Sequence, residues 1–142
     1  MTDDETSPSW TTRLRVRSYE LDSFGHVNHA VFLNYLEQAR FEALEAGGFP
    51  PSLINARGWG VHVVRVEVDY RSEAVLGDPL VVRTRVEALK SSSMILRQVV
   101  RKESEAGEGE LVAEGRVVLV WVGSDRRPMR IPDPVREALS GA

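Results

Sequence analysis

The sequence predicts an α+β fold in which one long central helix is wrapped by an antiparallel sheet of about five strands. Three observations predict it. A single helix-forming stretch, His29 to Ala46, runs without Gly or Pro. Five segments with the apolar–polar alternation of strands flank it, one before and four after. No strand–helix–strand alternation is present, which excludes a doubly wound parallel sheet. A chain of 142 residues suits one domain.

Each element follows from local chemistry. Trp10 to Arg17 alternates Leu14 and Val16 against Arg13, Arg15 and Arg17, the pattern of a short strand. Ser18 to Asn28 is polar and turn-like, with Asp22, Ser23 and Gly25. The helix of about five turns then runs until Gly47 and Gly48 stop it, with Pro50 and Pro51 just beyond. Its apolar residues occupy most of its circumference, so it is expected to be covered on most sides. Val61 to Tyr70 alternates Val64, Val66 and Val68 against Arg65, Glu67 and Asp69. Gly77-Asp78-Pro79 turns the chain into a strand over Leu80 to Leu89, and Lys90 to Ser93 connects that strand to Met94 to Lys102. Glu103 to Glu110 reads as an exposed hairpin loop, and Leu111 to Val122 as a last strand buried on both faces. Asp133 and Pro134 suit the cap and first turn of a short final helix through Leu139.

Composition removes several function classes. There are 18 basic against 21 acidic residues, a net charge of -3, where a nucleic-acid binder carries a clustered basic face. The longest purely apolar run, Val117 to Val122, is six residues, far below the roughly 20 of a membrane span. Residues 1–9 are acidic, lack the basic and apolar parts of a signal peptide, and read as a flexible tail before a domain over 10–142. Cysteine is absent, which removes thiolate catalysis, disulfides and cysteine-based zinc sites. A cytoplasmic protein is the expectation. No Gly-x-Ser-x-Gly elbow and no phosphate-binding glycine loop is present, so a serine-triad hydrolase and a classical nucleotide enzyme are both disfavoured.

The dense cluster runs from Tyr19 to His29 and places Asp22, Gly25, His26, Asn28 and His29 in a turn entering the helix. A helix start offers unpaired N–H groups and roughly +0.5 of an elementary charge. Such donors polarise a carbonyl oxygen while Asp22 supplies a nucleophile or a general base. Two plainer readings stand beside this one. Asp22 and Asn28 also suit turn and cap positions, and Asp22, His26 and His29 are ligand types for an open metal site. Glu37 and Arg40, on an otherwise apolar helix, suggest a satisfied buried polar pair, and His62 reads as structural.

The run Tyr19-x-x-Asp22-x-x-Gly25-His26-Val27-Asn28-His29, continued by Tyr35-Leu36-Glu37-x-Ala39-Arg40, resembles the signature of hotdog-fold acyl-CoA thioesterases of the 4-hydroxybenzoyl-CoA thioesterase-like branch. The likeness covers residues 12–132, including Asp78 and the closing Arg127-Pro128-x-Arg130-Ile131-Pro132. It implies hydrolysis of an acyl-CoA to free acid and CoA. Asp22 is then the catalytic carboxylate, backbone N–H groups near Gly25 and the helix start form the oxyanion site, and Gly25, His26, Asn28 and His29 line the substrate. Lys90, Ser91, Ser92, Ser93 and Arg127 are the implied CoA-binding residues. Phe24, Phe32, Tyr35 and Trp59 are candidates to shape the acyl site. The resemblance further implies no metal, no cofactor beyond the CoA of the substrate, and a homo-oligomer, dimer or tetramer, with sheets joined edge to edge and sites at the interface. The alternative is a non-catalytic hotdog protein that binds acyl-CoA or acyl carrier protein.

Overall fold

A computed structural model describes residues 8–140. The expected tail over 1–9 falls mostly outside them, and Ser9 already opens the first strand. The chain folds as β1 (Ser9–Arg15), a single 3-10 turn (Ser18–Glu20), α1 (Val31–Ala46), α2 (Pro51–Ala56), β2 (Gly60–Tyr70), β3 (Pro79–Leu89), β4 (Ser93–Ser104), β5 (Gly107–Val122) and α3 (Asp133–Ser140). One antiparallel sheet holds all five strands in the order β1-β3-β4-β5-β2. The fold class is the expected α+β.

Three local expectations need correction. The helix α2 lies where the sequence suggested only a proline-rich stop. Pro51 is tolerated at a first helical position, where its missing N–H is no loss, and with the five residues that follow it forms one short helix. The expected loop over Glu103 to Glu110 is instead a turn of two residues, Glu105 and Ala106, because β4 and β5 pair out to Ser104 and Gly107. Gly107 sits at φ 108°, a conformation that glycine adopts without steric cost. The helix α1, third, is not covered on most sides within one chain.

Its buried residues Phe32, Tyr35, Leu36, Ala39, Arg40, Ala43 and Leu44 form a single stripe at three- and four-residue spacing. Leu33 and Phe41, on the other side, stay exposed. The neighbouring strand β2 is equally bare, with Val63, Val64 and Val66 exposed and Val64 at 59%. Apolar residues all round the helix therefore signal more cover than one chain provides.

The core divides in two along α1. One cluster packs Phe32, Tyr35, Leu36 and Ala39 on Leu80, Val82, Val100 and Ala113. The other gathers Leu44, Met94, Leu96, Leu119 and Trp121 with Ile131, Val135 and Leu139 from the C-terminal segment. Between Val82 and Val86, and between Leu96 and Val100, the inward positions are polar: Thr84 and Gln98, both buried. Gln98 donates to the Leu36 carbonyl at 2.9 Å and to the Thr84 hydroxyl at 3.0 Å, while its carbonyl accepts from Arg40 Nη1 at 3.1 Å. Arg40 is thus partnered by an amide. Glu37, the partner suggested by the sequence, lies exposed, and no ion pair joins the two among the described residues. None of the described helices is long and apolar enough to cross a membrane.

Candidate functional site

The loop between the 3-10 turn and α1 is built around Asp22. Its N–H donates to the His26 carbonyl at 2.7 Å, and its own carbonyl accepts from Gly25 at 3.2 Å. The carboxylate oxygen Oδ1 accepts from the N–H of Phe24 at 2.9 Å and of His26 at 3.2 Å. Gly25 at φ 84° lets the chain close this tight circle, which a side chain there would strain. The His26 N–H, then that of Phe24, holds the Asp22 carboxyl below the usual carboxylate range. Asp22 is ionised at neutral pH and only partly covered.

The turn role and the chemical role thus fall on one residue. Oδ1 is occupied by the loop, while Oδ2 carries none of these bonds. The N–H groups of Phe24, Gly25 and His26 all point at oxygens of Asp22. They stabilise its anion instead of lying open to a carbonyl. The oxyanion donors expected near Gly25 are thus already engaged with Asp22, and the next backbone donors along the chain lie at the entry to α1. There Asn28 Oδ1 accepts from Ala30 N–H at 2.9 Å, so the cap reading of Asn28 is realised on its oxygen, and the residue is half-buried.

Other elements fix this loop in place. Val27 N–H donates to the Ala74 carbonyl at 2.9 Å, and His26 forms a bridge with Val75 in the segment leading to β3. Asp78 Oδ2 accepts from Val75 N–H at 2.9 Å and closes that segment. His26 Nε2 stands 2.6 Å from Glu73 Oε2, so this imidazole turns toward a glutamate and away from any site shared with His29. Among the described residues no group of three or more His, Cys, Asp or Glu is placed to hold a metal. His29 is exposed, and its carbonyl accepts from the Tyr70 hydroxyl at 2.8 Å. Tyr70 also meets Phe32 edge-on at 5.5 Å, tying the end of β2 to the entry of α1.

Beneath the loop, Glu20 is buried. Burial pushes its carboxyl up, but hydrogen bonds from the Arg17 backbone, the Arg17 guanidinium and the Tyr35 hydroxyl outweigh that and bring it below its ordinary value. Tyr35, buried and donating to Glu20, is held well above the usual phenol range. These groups form a rigid floor. Glu73, Tyr70 and Glu20 carry no motif in the sequence, and only their packing reveals them.

The aromatic candidates divide sharply. Phe24 is 84% exposed at the loop tip. Phe32 and Tyr35 are core residues, and Trp59 packs edge-on against Trp121 at 6.2 Å.

The implied CoA-binding residues stand elsewhere. Lys90, Ser91, Ser92 and Ser93 form the β3–β4 hairpin, braced by Arg136, whose Nη2 donates to the Lys90 and Ser91 carbonyls. The Trp121 N–H donates to the Ser92 carbonyl at 2.8 Å, and Arg127 lies on the neighbouring turn after β5. The Asp22 loop abuts the start of β3, whereas this hairpin lies at its end. Eleven residues of strand separate them, on the order of 30 Å. A single chain does not bring Asp22 together with Lys90, Ser91, Ser92, Ser93 and Arg127.

At that same far end, a cavity of about 130 Å³ opens between α1 and the sheet. It is lined by Leu44, Val86, Met94, Leu96 and Leu119, with Glu37, Phe41, Val61 and Val63 at its rim, and Arg40 and Thr84 in its wall.

Comparison with known proteins agrees with this architecture. The family model described as the thioesterase-like superfamily matches residues 16–139. The long-chain acyl-CoA thioesterase FadM of Escherichia coli is 33% identical over 130 residues, covering 90% of this chain and 95% of that protein. The chloroplastic acyl-acyl carrier protein thioesterase ATL3 of Arabidopsis thaliana is 31% identical over 87% of this chain, which spans 63% of that longer protein. The crystal structure of a hypothetical protein, TT1821 of Thermus thermophilus, superposes with a TM-score of 0.84 at 36% identity, covering 92% of this chain and 96% of that one.

Proposed function

The chain belongs to the thioesterase-like superfamily with a hotdog fold, and on that premise we propose that it is an acyl-CoA thioesterase, a thioester hydrolase with Asp22 as its central residue. The observation that carries this reading is the Asp22 carboxylate itself. It is held ionised by two backbone N–H groups on one oxygen, half-exposed, at the entry to α1. A thioester carbonyl is activated enough for such a group, with no serine or cysteine needed. Asp22 either attacks the carbonyl carbon, expelling the CoA thiolate and leaving an anhydride that water opens, or accepts the proton of an attacking water. At the entry to α1 the N–H groups of Ala30, Val31 and Leu33 are bonded within the turn, which leaves the Asn28 amide and the positive end of the helix to stabilise the developing oxyanion. His29 lines the mouth of this site, and the proposed location is the cytoplasm. The likeness to ATL3 supports a second carrier, an acyl carrier protein, on the same chemistry.

The reaction also explains why one chain looks incomplete. The edge strand β2 exposes Val63, Val64 and Val66 and offers an unpaired backbone edge, which soluble proteins normally cover. Two copies joined antiparallel along β2 place Gly60 of one opposite Tyr70 of the other. Tyr70 is tied to His29, so each copy's Asp22 loop arrives at the far end of the other, where the cavity, Lys90 and Arg127 lie. The active unit is therefore a homo-oligomer built on such a dimer.

The test is thiol release from a panel of acyl-CoA thioesters by wild type and Asp22→Asn side by side. Wild type is expected to hydrolyse at least one, and Asp22→Asn to lose at least about 1,000-fold in kcat while keeping its fold. Acyl-CoA binding without turnover by wild type would instead favour a non-catalytic acyl-binding protein.

A further inference from the structure

The reaction as described makes no use of Arg40, yet this residue is a charge buried in the core. It is 9% exposed and lines a mostly apolar cavity whose other polar residues are Glu37 at the rim and Thr84 in the wall. Of its five donors, the described residues engage only Nη1, which meets the Gln98 carbonyl. Glu37, exposed at the rim of the same cavity, attracts it electrostatically, but no ion pair joins the two among the described residues. A buried cation with open donors is costly unless something supplies acceptors. Gln98 is in turn fixed by Thr84 and the Leu36 carbonyl, so the one bond that Arg40 makes to it anchors the guanidinium in the cavity lining.

Resting on the thioesterase reading above, we propose that this cavity receives the acyl group and that Arg40 selects acyl groups carrying an oxygen acceptor, a carboxylate or a hydroxyl, at the end remote from the thioester. Cavity size limits the group. A void of about 150 Å³ holds a benzene ring, so about 130 Å³ suits some six carbons. Position decides which Asp22 acts. From Val31 to Phe41 the helix rises ~15 Å, so a six-carbon acyl group in the cavity cannot reach the carboxylate of its own chain. The rim residues Val61 and Val63 belong to β2, where the second copy's loop arrives. The thioester therefore lies at that copy's Asp22, and the acyl tail enters past Phe41 toward Arg40. A guanidinium recognises a carboxylate through two parallel N–H bonds and a hydroxyl through one.

Three matched substrates test this: hexanoyl-CoA, 6-hydroxyhexanoyl-CoA and 5-carboxypentanoyl-CoA. Wild type is expected to favour at least one oxygenated thioester over hexanoyl-CoA by about tenfold or more in kcat/KM, the worth of one hydrogen bond to a charged group. Preference for the carboxyl substrate alone identifies an anionic tail, and preference for both identifies any oxygen acceptor. Arg40→Met is expected to erase the preference, and Arg40→Lys to retain part of it for the carboxyl tail. Equal or better use of hexanoyl-CoA by wild type overturns the proposal without any variant having to fold. An undiminished preference in Arg40→Met overturns it as well. Thioether analogues of the same three compounds, followed by fluorescence of Trp10 in the cavity wall, separate the two readings. Arg40-dependent discrimination among analogues with no turnover of any thioester sinks hydrolysis and keeps this assignment. Turnover without such discrimination sinks this assignment alone, and neither binding nor turnover sinks both.

Discussion

At the scale of single residues, the proposed mechanism gives Asp22 two separable jobs, and two substitutions separate them. As a turn residue it needs only an acceptor at Oδ1, and asparagine supplies one. As the reacting group it needs a negative charge, which asparagine lacks. Asp22→Asn is therefore expected to fold like wild type and release no thiol. Asp22→Ala removes the acceptor for the Phe24 and His26 N–H groups and is expected to lose activity and melt at a lower temperature than Asp22→Asn, as thermal unfolding by circular dichroism would show. The pH dependence follows from the same bonds. The folded-state pKa of Asp22 is lowered, so its contribution to stability is complete above the unfolded value and is lost as pH falls through the folded one. Activity should follow the same anion. The acid limb of kcat/KM is expected below the ordinary aspartate value of about 3.9, and a limb well above it would point to another ionising group. This cluster was legible in the sequence because its bonds span two to four residues. Glu73 beside His26, Tyr70 on His29 and Gln98 on Arg40 were not, because each partner arrives from another element forty or more positions away.

Among elements, the decisive fit is between α1 and β5. The inward positions of β5 run Ala113, Gly115, Val117, Leu119, Trp121, growing in size from Gly115 onward. At Gly115 a Cβ would stand 2.9 Å from Leu36 Cδ1, closer than packed carbons tolerate. The glycine is what lets the helix lie against the sheet at that level. Gly115→Ala is expected to destabilise the fold by about 1–2 kcal/mol, read from the urea midpoint, because buried Leu36 must leave its position. An unchanged midpoint would mean that α1 shifts freely. Element types were well marked in the sequence, since alternation and helix-forming runs are local. Two of the three corrections have local causes too. The helix α2 is too short for a periodicity to emerge, and the Glu103 to Glu110 segment is rich in Gly and Glu although strand pairing carries it almost to its tip. The all-round apolar character of α1 was read correctly as a demand for cover. What a sequence does not say is whether the cover comes from the same chain.

For the whole molecule, that missing cover and the scattered site are one problem. The exposed side of α1 and the bare face of β2 start beside the chain's own Asp22 loop and run on to the far end, where the cavity rim and the hairpin carrying Lys90 lie away from that Asp22. An active site assembled across a two-fold axis resolves each of them, and it has a consequence that no single-chain site shares. Take one copy carrying Asp22→Asn and another carrying Val63→Trp, which fills the cavity mouth from a half-exposed position. Each homodimer is expected to be inactive. In the mixed dimer, one site combines both lesions while the other combines intact Asp22 with an intact cavity, so about half of wild-type activity should return. Differently tagged copies, co-expressed and purified through both tags, allow thiol release to be measured on that hybrid alone. If each site belonged to one chain, the hybrid would hold two damaged sites and stay as inactive as its parents. The recovered activity thus reads directly whether the catalytic carboxylate and the acyl cavity that serve one substrate come from different copies.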